Sequence, residues 1–557
     1  MRRTKVLTAA AVCLAAMACG GGNSSQSSSA PPAAADALAA CAALRSSQVP
    51  ASAIGLPTRG AVVISATVVP SSPTNASGEY CLVKGQITSV DVTAQPITFA
   101  LALPTYWNGR ALQQGGGGWD GFAPDPTGNA TVSVPPPPPL AKGYAVFGSD
   151  GGHSGGDAAF AVNDEQLQNF SGDHLKKTRD TVVELTKARY GAAPRKTYFV
   201  GQSGGGREAF ATMQRWGADY DGIVAIFPGL DYVPAFLKTQ QVGTTMRLNG
   251  GAGWFNLAKA KVLRNAVLQA CDALDGLADG IISNDNACTF DPSTIRCPGG
   301  ADTGDTCFSD QQLASLTLLE TPTNLSYTLA NGVNQLPAFN RGADWSGAIG
   351  GTDLPLGSTA AFNVPAGGGT PARSEIGWDH WFGDGLVRYA LYRDQHADAL
   401  HFDPVNPGPL LSRLQQVSGL LDVNNPDIQT FLNKGGKLIL VHGQADQLLP
   451  TQPTVDYYKA VVAKFGQAAV DQSVRFYLIP GYSHFGGVSF NATQGMSVFP
   501  ALEDWVEKGI APGTLVATDT SAGANNRTRP MCVYHAWPKY NGTGDVSLAS
   551  SFSCVSG

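Results

Sequence analysis

The sequence carries little charge, and beyond its N-terminus it has no long apolar run. Charged residues make up 14% of the 557 residues, and the formal net charge is −6. No run of lysine and arginine is long enough to attract nucleic acid, so we expect no nucleic-acid partner. No stretch of about 20 apolar residues follows the N-terminal segment, which leaves no second candidate for a membrane-spanning helix. The length favours a large globular domain with an insertion, or two domains.

The first nineteen residues have the pattern of an export signal, in which a basic start (residues 1–5) precedes an apolar segment (residues 6–18). The end of this segment is compatible with two outcomes: cleavage that releases the protein, or lipidation of Cys19 as in bacterial lipoproteins. Residues 20–40, which begin rich in glycine and serine, are predicted to be a flexible tether. We therefore expect an exported bacterial protein that is periplasmic, extracellular or anchored to the outer membrane through a lipid on Cys19.

Eight cysteines remain once Cys13 and Cys19 are assigned to the signal. An even number of cysteines in an exported chain indicates disulfides, because that compartment is oxidising. Many pairings are formally open. The simplest joins each cysteine to its neighbour in sequence: Cys41–Cys81, Cys271–Cys288, Cys297–Cys307 and Cys532–Cys554.

Apolar strands alternate with helical segments in two parts of the chain. The predicted strands are residues 61–69, 97–104, 144–150, 196–200, 222–227, 437–441 and 475–479, and the predicted helices are residues 175–190 and 207–216. This alternation indicates βαβ units and a mainly parallel sheet. The stretch between the two parts is rich in Gly, Thr and Asp loops, and insertions of this length are usually functional. We predict an α/β domain of residues 41–228 and 433–557, split by an inserted lid at residues 229–432.

The pattern Gly-x-Ser-x-Gly occurs at residues 201–205, between the predicted strand 196–200 and the helix that follows it. This strand–turn–helix setting is the one that a nucleophile elbow requires, and glycines on either side permit a strained turn. The alternative is a glycine-rich βα connection with a solvated serine. We predict that Ser203 is a catalytic nucleophile.

A nucleophilic serine needs a base and an orienting carboxylate, and after an elbow of this kind they follow in the order Asp, then His. Asp446 and His484 each come just after a late predicted strand, which makes them the predicted partners of Ser203. His442 lies at a strand edge and is interpreted as structural. His153 is interpreted as tying its loop by a hydrogen bond, with a position near the pocket as the alternative.

Acyl transfer also needs about two backbone N–H groups that stabilise the oxyanion. One donor is predicted to be Gly204, which follows the nucleophile, and the other to come from the glycine run at residues 115–118. Phosphate binding by this run is disfavoured, because no Lys-Ser/Thr pair follows it.

A separate acidic segment contains Asp272, Asp275 and Asp279 with glycines between them. Carboxylates at this spacing suit an oxygen-liganded cation such as Ca²⁺, although the segment is not an EF-hand loop. The alternative is a solvated acidic loop.

Five segments together resemble the tannase and feruloyl esterase family, over essentially the whole mature sequence: residues 115–118, 197–208, 271–282, 436–443 and 527–532. The resemblance implies an α/β-hydrolase core with a large lid, a structural calcium in that lid, and no organic cofactor. It implies that the side chains of Asp272, Asp275 and Asp279 and the carbonyls of Leu277 and Ile281 bind Ca²⁺. It also implies the triad of Ser203, Asp446 and His484, with Gly118 and Gly204 as oxyanion donors.

The chain departs from the family pattern beside the triad. The family typically has a disulfide between the residue before the nucleophile and the residue after the catalytic histidine. Gln202 and Phe485 occupy these positions here. Our hypothesis is that the triad survives, with packing of Phe485 replacing part of the covalent constraint.

The predicted function is that of a secreted serine carboxylic-ester hydrolase acting on small aromatic esters of phenolic acids, as feruloyl esterases do. Gallate esters and mono(hydroxyethyl) terephthalate are alternative substrates, and no lid arginine is evident for the terephthalate carboxylate. Trp378, Trp381 and Phe382 are candidates for stacking on the substrate ring, with core packing as the alternative. Trp119 is a further candidate for binding the substrate. A non-catalytic alternative is a calcium-stabilised surface lipoprotein that binds without catalysis.

Overall fold

The fold is that of an α/β-hydrolase, described by a computed structural model for residues 34–128, 136–348, 354–484, 489–493 and 495–556. The described residues form sixteen strands: β1 (Gln48–Val49), β2 (Ala61–Val69), β3 (Tyr80–Ile87), β4 (Ile97–Pro104), β5 (Arg110–Gln114), β6 (Ala145–Ser149), β7 (Lys196–Gln202), β8 (Gly222–Ile226), β9 (Thr323–Asn324), β10 (Gln335–Leu336), β11 (Lys437–Gly443), β12 (Val474–Ile479), β13 (Leu515–Thr518), β14 (Thr528–Met531), β15 (Trp537–Tyr540) and β16 (Phe552–Val555). All seven predicted strands are confirmed, and β5 is one of the nine strands that were not individually predicted.

Ten of these strands form one sheet in the order β1-β2-β3-β4-β6-β5-β7-β8-β11-β12. The first strands pair antiparallel, up to the contact between β4 and β6. From β6 onward every pair is parallel. The other six strands form three two-stranded sheets.

The parallel strands are buried on both faces, which is why they are apolar throughout. In β7, Tyr198 and Val200 face one core layer, and Phe199 faces the opposite layer. The same alternation continues in β8 and β11, because successive side chains of a strand point to opposite faces.

Thirteen α-helices occur in the described residues: α1 (Ala34–Ala42), α2 (Asp164–Gln168), α3 (His174–Tyr190), α4 (Gly204–Trp216), α5 (Tyr232–Gly251), α6 (Leu257–Cys271), α7 (Asp310–Glu320), α8 (Arg373–Gly385), α9 (Leu411–Leu421), α10 (Gln429–Lys434), α11 (Gln452–Phe465), α12 (Gln467–Asp471) and α13 (Val498–Lys508). Helix α13 packs on one face of the sheet, and α4 and α11 pack on the other. In the described part of the chain, no helix is both long and apolar enough to span a bilayer.

Helices α5 to α9 lie within the segment predicted as a lid, and they build hydrophobic clusters of their own. The end of this insertion differs from the prediction of residue 432. Val423, Ile428 and Phe431 pack in the core layer of the sheet, and the N–H of Val423 donates to the carbonyl of Leu230. The chain therefore returns to the sheet domain about ten residues earlier than predicted.

The N-terminal prediction needs a similar correction. Helix α1 occupies the last seven residues of the predicted tether and packs against β2, and its Cys41 is buried. A flexible tether is therefore wrong for residues 34–40. The signal segment (residues 1–19), with Cys19, and the rest of the tether lie outside the described residues.

The four neighbour disulfides predicted from the cysteine spacing are confirmed: Cys41–Cys81, Cys271–Cys288, Cys297–Cys307 and Cys532–Cys554. Two of them lie in the lid segment. The first ties α1 to β3, and the last ties two strands at the C-terminus.

Removing the Cys41–Cys81 bond by the double variant C41S/C81S should lower the free energy of unfolding by about 4 kcal/mol, because the bond closes a 40-residue loop. The matched variant C297S/C307S opens a 10-residue loop and should lose about 3 kcal/mol. Urea unfolding curves measure both losses. A smaller loss for the longer loop would contradict this expectation.

Candidate active site

The predicted site residues lie at one edge of the sheet because each follows the carboxyl end of a parallel strand. The glycine run follows β5, Ser203 follows β7, Asp446 follows β11 and His484 follows β12. In parallel α/β sheets the loops at this edge meet around a common crevice. The insertion between β8 and β11 also leaves from this edge.

Ser203 lies in a strained turn, with φ +61° and ψ −122°, between β7 and α4. Left-handed φ values cost energy for residues other than glycine and cluster at functional sites. The flanking glycines are required by space, since a Cβ on Gly201 would lie 2.0 Å from the carbonyl oxygen of Gly205. The N–H of Ser203 donates to the carbonyl of Ile226 at 2.9 Å, which fixes the turn to β8.

The three predicted triad residues form a continuous hydrogen-bonded chain. His484 Nε2 lies 2.9 Å from Ser203 Oγ, and His484 Nδ1 lies 2.9 Å from Asp446 Oδ2. All three are buried, and Ser203 is 5% exposed. The ring of Phe227 packs on the His484 imidazole with centroids 5.0 Å apart, which limits its rotation.

The Asp446 carboxylate is held from two sides. Its Oδ1 accepts the N–H groups of Leu448 and Leu449 at 2.8 and 2.9 Å. Its Oδ2 contacts His442 Nε2 at 3.3 Å as well as His484. Burial alone would raise the pKa of Asp446, but the charges and hydrogen bonds of these two histidines lower it below its ordinary range. His442 therefore supports the triad, a contact that its position at the end of a strand did not indicate.

The two predicted oxyanion donors lie next to each other. A Cβ on Gly204 would lie 3.0 Å from the nitrogen of Gly118, so the loops that carry them are in contact. Gly204 is the first residue of α4, and N–H groups at a helix start lack intrahelical acceptors and carry partial positive charge. The N–H of Gly118 likewise has no acceptor among the described residues.

Trp119 does not occupy the substrate-facing position that we predicted. Its side chain is 2% exposed. Its ring is enclosed by five other aromatic rings: Phe160, Phe170, Tyr232, Phe236 and Phe382. The side chain is therefore part of the hydrophobic core next to the glycine loop (residues 115–118). The predicted role of Trp119 in binding the substrate is wrong.

Trp378 and Trp381 are partly exposed on α8, close to the glycine loop (residues 115–118). Trp378 stacks on Phe382 with centroids 5.7 Å apart. The Phe382 ring reaches within 3.7 Å of the Cβ position of Gly118. The guanidinium of Arg373 lies 3.9 Å from the centre of the Trp378 ring. Phe382 therefore brings the aromatic side chains of α8 up to Gly118.

The acidic loop follows α6 and is anchored by the Cys271–Cys288 bond. Asp272 Oδ2 accepts the N–H of Gly280 at 2.8 Å, while its Oδ1 is buried with no hydrogen-bond partner among the described residues. Burial raises the pKa of both Asp272 and Asp275. The Asp279 carboxylate contacts Arg529. The unpartnered oxygen and the two desolvated carboxylates fit a cation, and Arg529 already offsets part of the charge.

The position of the missing family disulfide is only half described. Gln202 ends β7, and its side-chain amide is buried with no hydrogen-bond partner in the described part of the chain. Phe485 lies outside the described residues. The hypothesis that its packing replaces the disulfide stays a prediction.

Comparisons with known proteins identify the family of this chain. The family model described as tannase and feruloyl esterase matches residues 81–555. The chain is 36% identical to an uncharacterized esterase of Agrobacterium fabrum, covering 93% of this chain and 94% of the relative. It is 30% identical to the mono(2-hydroxyethyl) terephthalate hydrolase of Piscinibacter sakaiensis, covering 93% and 92%.

The fold also matches a solved structure. Feruloyl esterase B from Aspergillus oryzae superposes with a TM-score of 0.75 at 22% identity, covering 93% of this chain and all of that one. This chain therefore covers more than two thirds of both relatives and the full length of the solved structure. The chain is a carboxylic-ester hydrolase that belongs to the tannase and feruloyl esterase family.

Proposed function

We propose that this enzyme hydrolyses esters of phenolic acids through an acyl-enzyme formed on Ser203. The observation that carries the proposal is the hydrogen-bonded chain from Asp446 through His484 to Ser203 Oγ, with distances of 2.9 Å at both steps. This chain lies beside two backbone N–H groups, those of Gly118 and Gly204, that are free to bind an oxyanion.

In the first half-reaction, Ser203 Oγ attacks the ester carbonyl carbon while His484 Nε2 takes its proton. The carbonyl π electrons move to the oxygen, which the N–H groups of Gly118 and Gly204 stabilise. When this intermediate collapses, the bond to the alcohol oxygen breaks and His484 returns the proton to the leaving alcohol. Asp446 keeps the Nδ1 proton on His484 and stabilises the imidazolium.

In the second half-reaction, water attacks the acyl carbon and His484 takes the proton of the water. The second oxyanion uses the same two donors. Its collapse breaks the bond to Ser203 Oγ, which recovers the proton from His484, and the carboxylic acid leaves. The site needs no organic cofactor for these steps.

A phenolic acyl group is supported by the aromatic surface next to Gly118. Trp378 and Trp381 are half-buried there, and flat aromatic rings favour offset or edge contacts with other rings. Several relatives carry the name probable feruloyl esterase, among them one from Arthroderma benhamiae at 28% identity over 92% of this chain.

A monoester of terephthalic acid is the second candidate. The relative from Piscinibacter sakaiensis is named for this activity.

A rate panel separates the candidates. We expect methyl ferulate and methyl caffeate to give kcat/KM values at least about tenfold above those of methyl gallate and mono(hydroxyethyl) terephthalate, a difference of about 1.4 kcal/mol in transition-state binding. Trp378→Ala should narrow this difference, and Trp216→Ala, on the far side of the sheet domain at the end of α4, should leave it unchanged. A terephthalate monoester as the fastest substrate would overturn the phenolic assignment.

We also propose that the acidic loop holds a structural Ca²⁺ through Asp272, Asp275 and Asp279, with the carbonyls of Leu277 and Ile281. The ion would fix the shape of the loop after α6 and would supply no step of the reaction. The unpartnered Oδ1 of Asp272 supports this proposal.

Chelation should therefore lower stability without touching the triad. A ligand present at about 100 times its Kd contributes about 2.7 kcal/mol to the folded state, so EGTA should lower Tm and added Ca²⁺ should restore it. Asp272→Asn should abolish the response, and Asp398→Asn, an exposed carboxylate of the same lid, should retain it. A wild-type Tm that is insensitive to chelator would contradict a bound calcium.

Export is the last part of the proposal. Four disulfides support an oxidising compartment. The mass of the mature N-terminus distinguishes a lipidated Cys19 from a simple cleavage product.

A further inference from the structure

The glycine loop at residues 115–118 is held in place by hydrogen bonds to three of its four N–H groups and two of its four carbonyls. The N–H of Gly115 donates to the carbonyl of Val200 at 3.0 Å. The N–H of Gly116 donates to Glu208 Oε2 at 2.9 Å, and that of Gly117 to Asp120 Oδ1 at 2.7 Å.

The far end of the loop is held as well. The Tyr232 hydroxyl donates to the carbonyl of Gly118 at 2.9 Å. The N–H of Asp120 donates to the carbonyl of Gly117 at 2.9 Å. Among the loop N–H groups, that of Gly118 is the one left without an acceptor in the described residues, and it is the predicted oxyanion donor.

Glu208 accepts a hydrogen bond from the glycine loop but belongs to a different element, helix α4. It is the fifth residue of α4, five residues after the nucleophile, and is fully buried. One carboxylate therefore links the elbow helix to the loop that carries the second oxyanion donor. Glycine permits this approach, because a Cβ on Gly115 would lie 2.9 Å from Glu208 Oε2 and 2.7 Å from Gly205 Cα.

Behind Glu208 lies a group of buried polar side chains that contacts its Oε1 without hydrogen-bond geometry. Thr178 Oγ1 donates to Ser149 Oγ at 2.9 Å, and Ser149 Oγ lies 3.0 Å from His174 Nδ1. Ser149 can then donate its proton to Nδ1, which leaves the proton of the imidazole on Nε2. His174 Nε2 lies 2.9 Å from Glu208 Oε1. Burial lowers the pKa of His174 to about 4, so the ring is neutral at pH 7.

Asp120, the second carboxylate of the loop, lies in the same buried group. Burial, followed by the charge of Glu208, raises the pKa of Asp120 well above its ordinary range. Burial raises the pKa of Glu208 as well. The guanidinium of Arg207 donates to the carbonyls of Phe170 and Ser171, and its charge lowers the pKa of both Asp120 and Glu208.

We propose that Glu208 is a positioning residue for ester hydrolysis: by accepting the N–H of Gly116, it holds the loop so that the Gly118 N–H points at the developing oxyanion. The inference rests on the proposed function of Ser203, because it assigns Glu208 to the same transition state. Electrostatic stabilisation of this kind depends on donors held in place before the reaction.

Three variants distinguish the effect of the hydrogen bond to Gly116 from the effects of the charge at position 208 and of a loss of folding. Glu208→Ala removes the acceptor and should lower kcat about 10- to 100-fold with KM nearly unchanged, because a displaced oxyanion donor acts on the transition state. Glu208→Gln keeps an acceptor oxygen at the same reach and should stay within about fivefold of wild type. Glu208→Asp keeps the charge but is too short to reach Gly116, so it should resemble the alanine variant.

Each kcat is expressed per active site, counted by the end point of labelling with a fluorophosphonate. Glu320→Ala, a largely buried glutamate of the lid that pairs with Arg341, is the matched control and should keep its kcat. If Glu208→Ala fails to fold, the contrast between the glutamine and aspartate variants carries the test.

Two results would overturn the inference: full kcat per labelled site in the alanine and aspartate variants, or a loss in the glutamine variant as large as theirs. Ser203→Ala is measured alongside. Its inactivity together with an unaffected Glu208→Ala would reject the positioning role alone, whereas activity in Ser203→Ala would reject the proposed function itself.

Discussion

Ser203→Ala should reduce kcat for every hydrolysed ester by about 10⁴- to 10⁶-fold, which is the cost of removing the nucleophile from a serine hydrolase. The oxygen removed is the one that lies 2.9 Å from His484 Nε2. The fold should be unaffected, because the backbone of the turn is held by its own hydrogen bond to Ile226 and by the flanking glycines. Initial rates with methyl ferulate and labelling by a fluorophosphonate measure the loss.

Ser315→Ala is a suitable control for this variant. Ser315 is a buried serine in helix α7 of the lid, and its hydroxyl donates to the carbonyl of Gln311. It should retain wild-type rates and labelling. Ester hydrolysis that persists in Ser203→Ala would show that another group attacks the substrate.

Asp446→Asn should have the second largest effect, a fall in kcat of about 10⁴-fold. An amide at this position has one oxygen for the N–H groups of Leu448 and Leu449, and that geometry turns its NH₂ group toward His484. The NH₂ group would donate to Nδ1, so the imidazole proton would move to Nε2. A protonated Nε2 cannot accept the proton of Ser203, and the attack loses its base.

The control for this variant is Asp422→Asn, since Asp422 is also buried and accepts a backbone N–H, that of Val233 at 2.8 Å. It should keep kcat, whatever its effect on Tm. A loss below about tenfold in Asp446→Asn, measured at saturating substrate, would mean that Asp446 does not set the tautomer of His484.

The regular core of this fold is open to prediction from sequence because both faces of the parallel sheet are buried. Residues 196–200 and 437–441 are short apolar runs between polar turns, and few structures other than a covered strand suit them. Strand β5 escapes the same reasoning, since two of its five residues are buried glutamines. Gln113 is accommodated by the Tyr220 hydroxyl and the carbonyl of Leu175, partners that no local pattern indicates.

The triad could be placed for a related reason. Ser203, Asp446 and His484 each follow a predictable strand, so topology brings them to one edge. Glu208 has no such signal: its partner Gly116 is 92 residues away and lies in a different loop. The prediction that Trp119 binds the substrate was wrong because it rested on the position of this residue beside the glycine loop. Five aromatic rings from the lid segment and the sheet domain enclose its side chain.

The hydrogen bond between Ser203 and His484 joins residues 281 positions apart, with the whole insertion between them. Closing a loop of that length costs chain entropy, and contacts so distant in sequence slow folding. During synthesis, the elbow at Ser203 is made long before the predicted base His484, so we expect a chain cut short of residue 484 to be inert toward esters. Hydrolysis therefore reports completion of folding, and its recovery after dilution from denaturant should trail the recovery of helical circular dichroism.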